Sequence, residues 1–208
     1  MAEPRLLSIQ IGPVRALGDP EGTDPADRLW TTGLFKASVD GPVWLSAAGL
    51  PGDQQADLVN HGGPHKAVNV YPNEHYAFWR ESLNRPAIAA GAFGENFTTA
   101  GWLEEEVCIG DVYAIGAAAV QVSQPRGPCW KLARRWQVPD LDRRIRALGR
   151  TGWYLRVLDE GFVQAGETIR LVERAYPEWT IARVNALQRR LREDPQAAAE
   201  LAACPLPP

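Results

Sequence analysis

The sequence predicts a mainly β chain of the α+β class, a strand-rich barrel over about residues 6–172 with a small helical appendage behind it. Three observations predict it. Short apolar or alternating runs of strand length recur up to Val172, separated by Gly- and Pro-rich turns, which is the punctuation of a barrel. Beyond Pro177 this pattern stops. Residues 180–192 and 195–203 show helical spacing instead, with Ile181, Val184, Leu187 and Leu191 on one face. Finally, 208 residues at 45% hydrophobic content suit one ordinary core, so the chain divides into a barrel domain, 1–176, and a helical segment, 177–208.

Taken in order, residues 6–11 read as the first strand and 12–27, with Gly, Pro and Asp throughout, as loop. Residues 34–36 and 43–45 read as strands about a turn at 40–42, and 49–53 as a further turn. An apolar strand over 67–71 leads to Asn73, placed to cap a helix whose Tyr76, Trp79 and Leu83 share a face. Residues 91–99 are Gly-punctuated and then strand-like, and 107–109 and 112–115 read as strands flanking Gly110-Asp111. Val120-Gln121-Val122 alternates as a half-buried strand does, and a helix follows Cys129 with Leu132, Ala133 and Trp136 at helical spacing. A second helix is read over 139–148, where Leu141, Ile145 and Leu148 mark an apolar face and Arg143, Arg144, Arg146 and Arg150 lie on the other, solvated side. Strands over 153–158 and 168–172 complete the barrel, and the Pro-rich tail stops any further helix.

Composition excludes several function classes. A net charge of −3 suggests neither a nucleic-acid nor a membrane-surface role for the whole chain. No apolar run approaches membrane-spanning length, and residues 1–5 lack a secretory layout, so a cytoplasmic location is expected. Cys108, Cys129 and Cys204 lie too far apart for a disulfide framework or a zinc ribbon.

Chemistry concentrates in two stretches. In Ser123-Gln124-Pro125-Arg126-Gly127-Pro128-Cys129-Trp130-Lys131-Leu132, one thiol sits between two cations at the start of a helix. Those neighbours favour its thiolate and place its pKa below the free value of about 8.5, ready to attack or to bind a soft metal. A lone cysteine is more commonly a small buried hydrophobe, but the cations and the Pro- and Gly-rich loop argue against that reading. In Asn60-His61-Gly62-Gly63-Pro64-His65-Lys66, two glycines permit close backbone approach or positive φ beside two imidazoles and an ammonium. This is either an anion cradle or a plain surface turn.

In order, His61-Gly62-Gly63 with Lys66, Tyr71-Pro72 with Glu74-His75-Tyr76 and Trp79, Gly94-Glu95-Asn96, and Ser123-Gln124-Pro125-Arg126 with Pro128-Cys129-Trp130-Lys131 resemble the MOSC family. Residues 32–36 and 49–57 also match its YiiM-type branch, and the resemblance runs from about residue 6 to 172. It implies a barrel related to the pyruvate-kinase barrel-like class that binds the pterin-based molybdenum cofactor (molybdopterin). Residues after Pro177 resemble the branch's C-terminal three-helix domain, of which two helices are read here. By the same resemblance Cys129 is the protein ligand to molybdenum and the catalytic residue. Arg126, Lys131, Lys66, His61 and Asn96 are candidates to hold the phosphate and pterin, with Lys36 a sixth, and Gly62, Gly63 and Gly94 serve close approach. The branch is associated with reducing N-hydroxylated compounds, including hydroxylaminopurines. The cofactor supplies the redox chemistry, and a nearby proton donor helps oxygen leave as water. Electrons are expected from a separate reductase, because neither a C-x-x-C pair nor a G-x-G-x-x-G after a strand is present.

Two alternatives compete. A MOSC domain can act as a cofactor-binding or sulfur-carrier module with no reductase activity of its own. A cofactor-free thiol hydrolase would need His61 or His65 within hydrogen-bond reach of Cys129.

Overall fold

A computed structural model describes residues 3–23 and 27–205. Its main sheet has eight strands: β1 (Arg5–Ile11), β4 (Ala37–Val39), β6 (Val68–Pro72), β7 (Phe97–Ala100), β8 (Val112–Ile115), β9 (Ala118–Pro125), β10 (Trp153–Asp159) and β12 (Ile169–Glu173). They lie in the order β12-β8-β9-β10-β6-β7-β1-β4. Pairing is antiparallel throughout except β6 with β7, which run parallel because helix α2 (Glu74–Leu83) crosses between them. The sheet curls until its two sides meet: Arg5 bridges Thr168, Leu6 N donates to Glu167 O (2.9 Å) and Ile169 N donates to Pro4 O (2.8 Å). The mainly β barrel with C-terminal helices expected from sequence is the fold observed.

Two short ribbons complete the β structure, β2 (Arg15–Leu17) with β3 (Trp30–Thr32) and β5 (Val43–Leu45) with β11 (Gly161–Val163). The first lies partly within a span read as loop, where turn residues masked a three-residue pairing. Residues 34–36 are not a strand. Lys36 N bonds back to Leu34 O (3.2 Å), and the ladder to β1 is taken up one step later, with Ile9 opposite Val39. Nor are residues 107–109, which make only the isolated bridge Cys108 to Thr180. Their alternation reflects another demand. Val107 and Ile109 are fully buried where the C-terminal segment seats, with Ile181 N donating to Val107 O (2.8 Å) and Ile109 N to Trp179 O (2.9 Å).

Five further helices are α1 (Leu58–His61), α3 (Trp130–Trp136), α4 (Leu141–Leu148), α5 (Ile181–Arg190) and α6 (Pro195–Ala202). Asn73 holds the N-cap position of α2 but has helical φ and ψ (−61°, −28°), so its side chain makes no capping bond. No helix among the described residues is long and apolar enough to cross a membrane.

Two apolar clusters organise the molecule. The barrel interior, with Leu6, Val70, Phe97, Val120 and Trp153, is continuous with Trp179, Ile181, Val184 and Leu187 of the C-terminal segment. Outside the sheet, α2, α3 and α4 pack through Trp79, Leu132, Leu141 and Ile145 around Tyr71 and Phe93, whose rings stack 4.5 Å apart. The second cluster holds the start of α3, and so Cys129, against the sheet.

Candidate functional site

Strand β9 ends at Pro125, and Pro128 and Gly127 lead the chain out of the ladder before α3 begins. Cys129 takes the N-cap position of α3 in extended conformation (φ −114°, ψ 165°), half-buried, and its side chain makes no cap bond. It lines a cleft of about 560 Å³, open mouth included. Arg126 and Lys131 line the same cleft from either side of it in sequence. His61 and Lys66 reach it from α1 and the single 3-10 turn that follows. Lys36 and Asn96 enter from the segments before β4 and β7, with Gly94 beside Asn96. Eight of the ten residues singled out in the sequence therefore meet in one place.

Gly62 and Gly63 do not line it. Gly62 is extended (φ −104°), and a Cβ there would lie 2.8 Å from Leu58 O, so its role is to let α1 end against its own first turn. Gly63 has φ 96° with open space around it, and supplies the left-handed step that launches the next turn. His65 lies off the cleft too, its buried Nδ1 without a partner.

The cations are not equivalent. Lys36 is 5% exposed at its side chain and ion-paired to Asp53, which is itself 2% exposed. Burial lowers the Lys36 pKa, with Asp53 acting against that shift. Asp53 also accepts from Asn96 Nδ2 (2.9 Å) and from Gly12 N (3.1 Å). Lys36 and Asn96 are thus already committed to a carboxylate. Lys66 donates its ammonium to Asn60 O (2.8 Å) at the exposed lip. His61 Nδ1 lies 3.3 Å from Tyr154 Oη, and burial, then Arg126, lower its pKa. Lys131 and Lys66 add to that effect, and Asp57 opposes it. Tyr154 is buried, which raises its pKa.

Arg126 is 5% exposed, and the loop preceding β7 holds it. Glu95 takes the backbone N–H of Gly91 (2.5 Å) and Phe93 (2.9 Å), folding residues 91–95 so that Phe93 O accepts from Arg126 Nη2 (2.6 Å). Nη1 of the same guanidinium is buried without a partner. So is Oδ1 of Asn69, another residue of the cleft, whose Nδ2 contacts Gly94 O (3.4 Å) and so fixes which amide atom is left open. Leaving such a group unmade costs about 1–3 kcal/mol. An open donor and an open acceptor beside a thiol and three uncommitted or lip-exposed basic side chains fit a polar anionic group carrying N–H edges, as a pterin phosphate does.

Asn69, Tyr154, Thr32 and Gln54 also line the cleft and were not singled out in the sequence. Tyr154 looks like any strand aromatic. Asn69 left a signal: it is the one polar side chain in the fully buried run Val68-Asn69-Val70-Tyr71, where burial of an amide demands a reason. Among the described residues Cys129 has no hydrogen bond to either His61 or His65, so the geometry a thiol hydrolase needs is not formed.

Comparison with known proteins agrees with the fold. Residues 57–170 match the family described as MOSC domain. The chain is 49% identical over 158 residues to the uncharacterized protein YflK of Bacillus subtilis, covering 76% of this chain and 71% of that one. It is 38% identical over 170 residues to protein YiiM of Escherichia coli, covering 81% and 72%. A protein of Gibberella moniliformis named reductase is 42% identical over 162 residues, spanning 76% of this chain but 29% of its own length. The crystal structure of YiiM from Geobacillus stearothermophilus superposes with a TM-score of 0.77 at 38% identity, covering 98% of this chain and 92% of that one. With a family match over more than half its length and this fold, the chain belongs to the MOSC domain family, as a YiiM-like member.

Proposed function

We propose that this chain binds the molybdenum cofactor in the cleft and reduces N-hydroxylated compounds such as hydroxylaminopurines, drawing electrons from a separate reductase. The observation that carries the reading is the buried, unpartnered Arg126 Nη1 on the same cleft as the Cys129 thiol. The relative named reductase supports the redox class. When bound, the cofactor supplies the two-electron chemistry, and N–O cleavage takes up two protons to give amine and water.

The chain's own residues do the rest. Cys129 presents a soft sulfur ligand from a loop pinned by the Arg126 N to Gly152 O bond (3.0 Å) and by Arg146, which donates to Pro128 O. Arg126 offers its free N–H to an anionic oxygen, and Lys66 and Lys131 add charge at the mouth. Asn69, whose buried Oδ1 has no partner, would be the acceptor for an N–H of the bound ring. His61, kept neutral near pH 7 by its lowered pKa, and Tyr154 form a hydrogen-bonded pair that can hold and pass a proton at the cleft wall.

The test exploits the three cysteines. Cys108 is buried with Sγ 3.4 Å from Pro177 O, and burial raises its pKa. The Cys204 pKa is raised by burial to about 11. Neither lines the cleft. Cys129→Ser should abolish reduction of 6-hydroxylaminopurine and remove one sulfur from the molybdenum-edge X-ray absorption spectrum, whereas Cys108→Ser and Cys204→Ser should do neither. Retained cofactor with no reductase activity in the parent would instead mark a binding module.

A further inference from the structure

Electrons reach a buried site only across short distances, so an electron-donating protein must touch the surface next to Cys129. That surface has a distinctive make-up. Trp130 follows Cys129 directly and is 53% exposed, an unusual position for an indole. Its inner edge rests on Trp30 (5.9 Å between centroids), and Arg134 lies over Trp30 at 5.2 Å. Helix α4 packs beside α3, and its Arg146 donates to Pro128 O, which ties the arginine face to the cysteine loop. Arg143 and Arg144 of α4 are exposed, Arg143 beside Asp140. Between residues 126 and 156 the chain has nine Arg or Lys against two Asp, yet its net charge is −3, so the remaining residues are net negative. The charge is segregated along the chain, and the positive stretch is the one that contains the thiol.

Resting on the reductase reading, we propose that Trp130 and the arginines of α3 and α4 form the docking surface for an acidic electron-carrier protein with an exposed prosthetic group. An exposed tryptophan in an arginine-rich stretch, with Arg134 over the neighbouring Trp30 and Arg146 on Pro128 O, has the composition of an interface centre. The surrounding charge steers an acidic partner and sets its orientation more than its ultimate affinity. A reduced carrier such as a flavin hydroquinone would give up two electrons here and be oxidised, solvent supplying the protons for N–O cleavage. A patch used only for solubility would show no such preference, and one used for nucleic acid would bind phosphate chains of any sequence.

The test uses the full chain with an acidic flavodoxin as probe, a basic cytochrome c as control and a short DNA duplex as the competing ligand. Titration calorimetry should give flavodoxin binding that weakens steeply with salt, with little binding of cytochrome c or DNA. Arg143→Glu with Arg144→Glu should weaken flavodoxin binding about tenfold, and Trp130→Ala should weaken it without the salt dependence changing. Turnover driven by reduced viologen, which needs no docking, should be unchanged in the double Arg variant. Absent flavodoxin binding, equal binding by parent and variants, or preferred binding of DNA would each overturn the proposal. Binding is read without turnover, so failure of viologen-driven reduction would sink the reductase reading separately.

Discussion

Asp53 reads in the sequence as the last residue of a turn, yet it is the carboxylate on which one wall of the cleft depends. It neutralises Lys36, steadies Asn96 and takes the Gly12 N–H, all with almost no exposure. Breaking a buried pair from one side leaves an uncompensated charge. Asp53→Ala is therefore expected to lose about 3–5 kcal/mol in urea denaturation, and Lys36→Met combined with Asp53→Leu to lose clearly less. An equal loss in both would mean that the pair itself carries the stability. Arg126 follows the same logic: its buried bond to Phe93 O makes Arg126→Ala costly for folding, so Lys66→Ala at the exposed lip is the cleaner probe of cofactor retention. His61 gives a pH signature. Its folded pKa lies below the unfolded value of about 6.5, so the unfolded chain binds more protons in that window and stability falls as pH drops through it. The parent should lose more stability than His61→Gln between about pH 7.5 and 5.5. Parallel losses would place His61 outside the buried wall. Thiol, imidazole and ammonium were legible as candidates because their chemistry is rare. Asn69, Tyr154 and Asp53 were not, because an amide, a phenol and a turn carboxylate acquire meaning only when distant segments meet.

At the level of elements, short apolar or alternating runs between turns identified most strands of the main sheet, since their inward side chains face one continuous core. The errors have a common cause. Val107, Ile109 and Leu34 are apolar because they pack, but the backbone groups of 107–109 and 34–36 bond to a helix start and to a tight turn instead of a ladder. Ribbons of three residues, such as β2 with β3, are too short to show a period. Gly152, one residue before β10, shows what sets the register there. It has φ 67°, and a Cβ would lie 2.1 Å from Val70 O, within the strand pair that carries Asn69 opposite Tyr154. Its carbonyl also receives the Arg126 N–H. Gly152→Ala combines left-handed strain of about 1–3 kcal/mol with a backbone clash that cannot relax. It should lower the denaturation midpoint by at least that strain and shift the amide resonances of Asn69 and Arg126. A variant as stable as the parent, with those resonances unmoved, would show that β6 and β10 can separate at no cost.

For the whole molecule, the helical segment after Pro177 read as an appendage, and its amphipathic spacing was legible. What spacing could not show is where its apolar face goes. Trp179, Ile181, Val184 and Leu187 join the same cluster as the barrel strands, and Thr180 bridges Cys108. Asn185 Nδ2 reaches Thr151 Oγ1 (2.8 Å), and Ala182 N donates to Glu104 O (2.9 Å). Glu104 in turn takes the Gly152 N–H (2.9 Å) and pairs with His75 Nε2 (2.8 Å), so α5 is connected through two steps to the strand that carries Tyr154. Fully burying a large apolar side chain is worth about 1.5–3 kcal/mol, and four of them approach the roughly 5–15 kcal/mol that holds a whole domain. Removing residues 177–208 is accordingly expected to leave no cooperatively folded barrel: the transition in circular dichroism should broaden, and a dye that reports exposed apolar surface should bind. Splitting the burden separates packing from connection. Asn185→Ala should leave the fold cooperative while loosening the Thr151–Gly152 backbone in hydrogen exchange, whereas Val184→Asp should resemble the truncation. A truncated chain that unfolds as sharply as the parent would establish instead that the barrel closes its own core and that α5 only covers it.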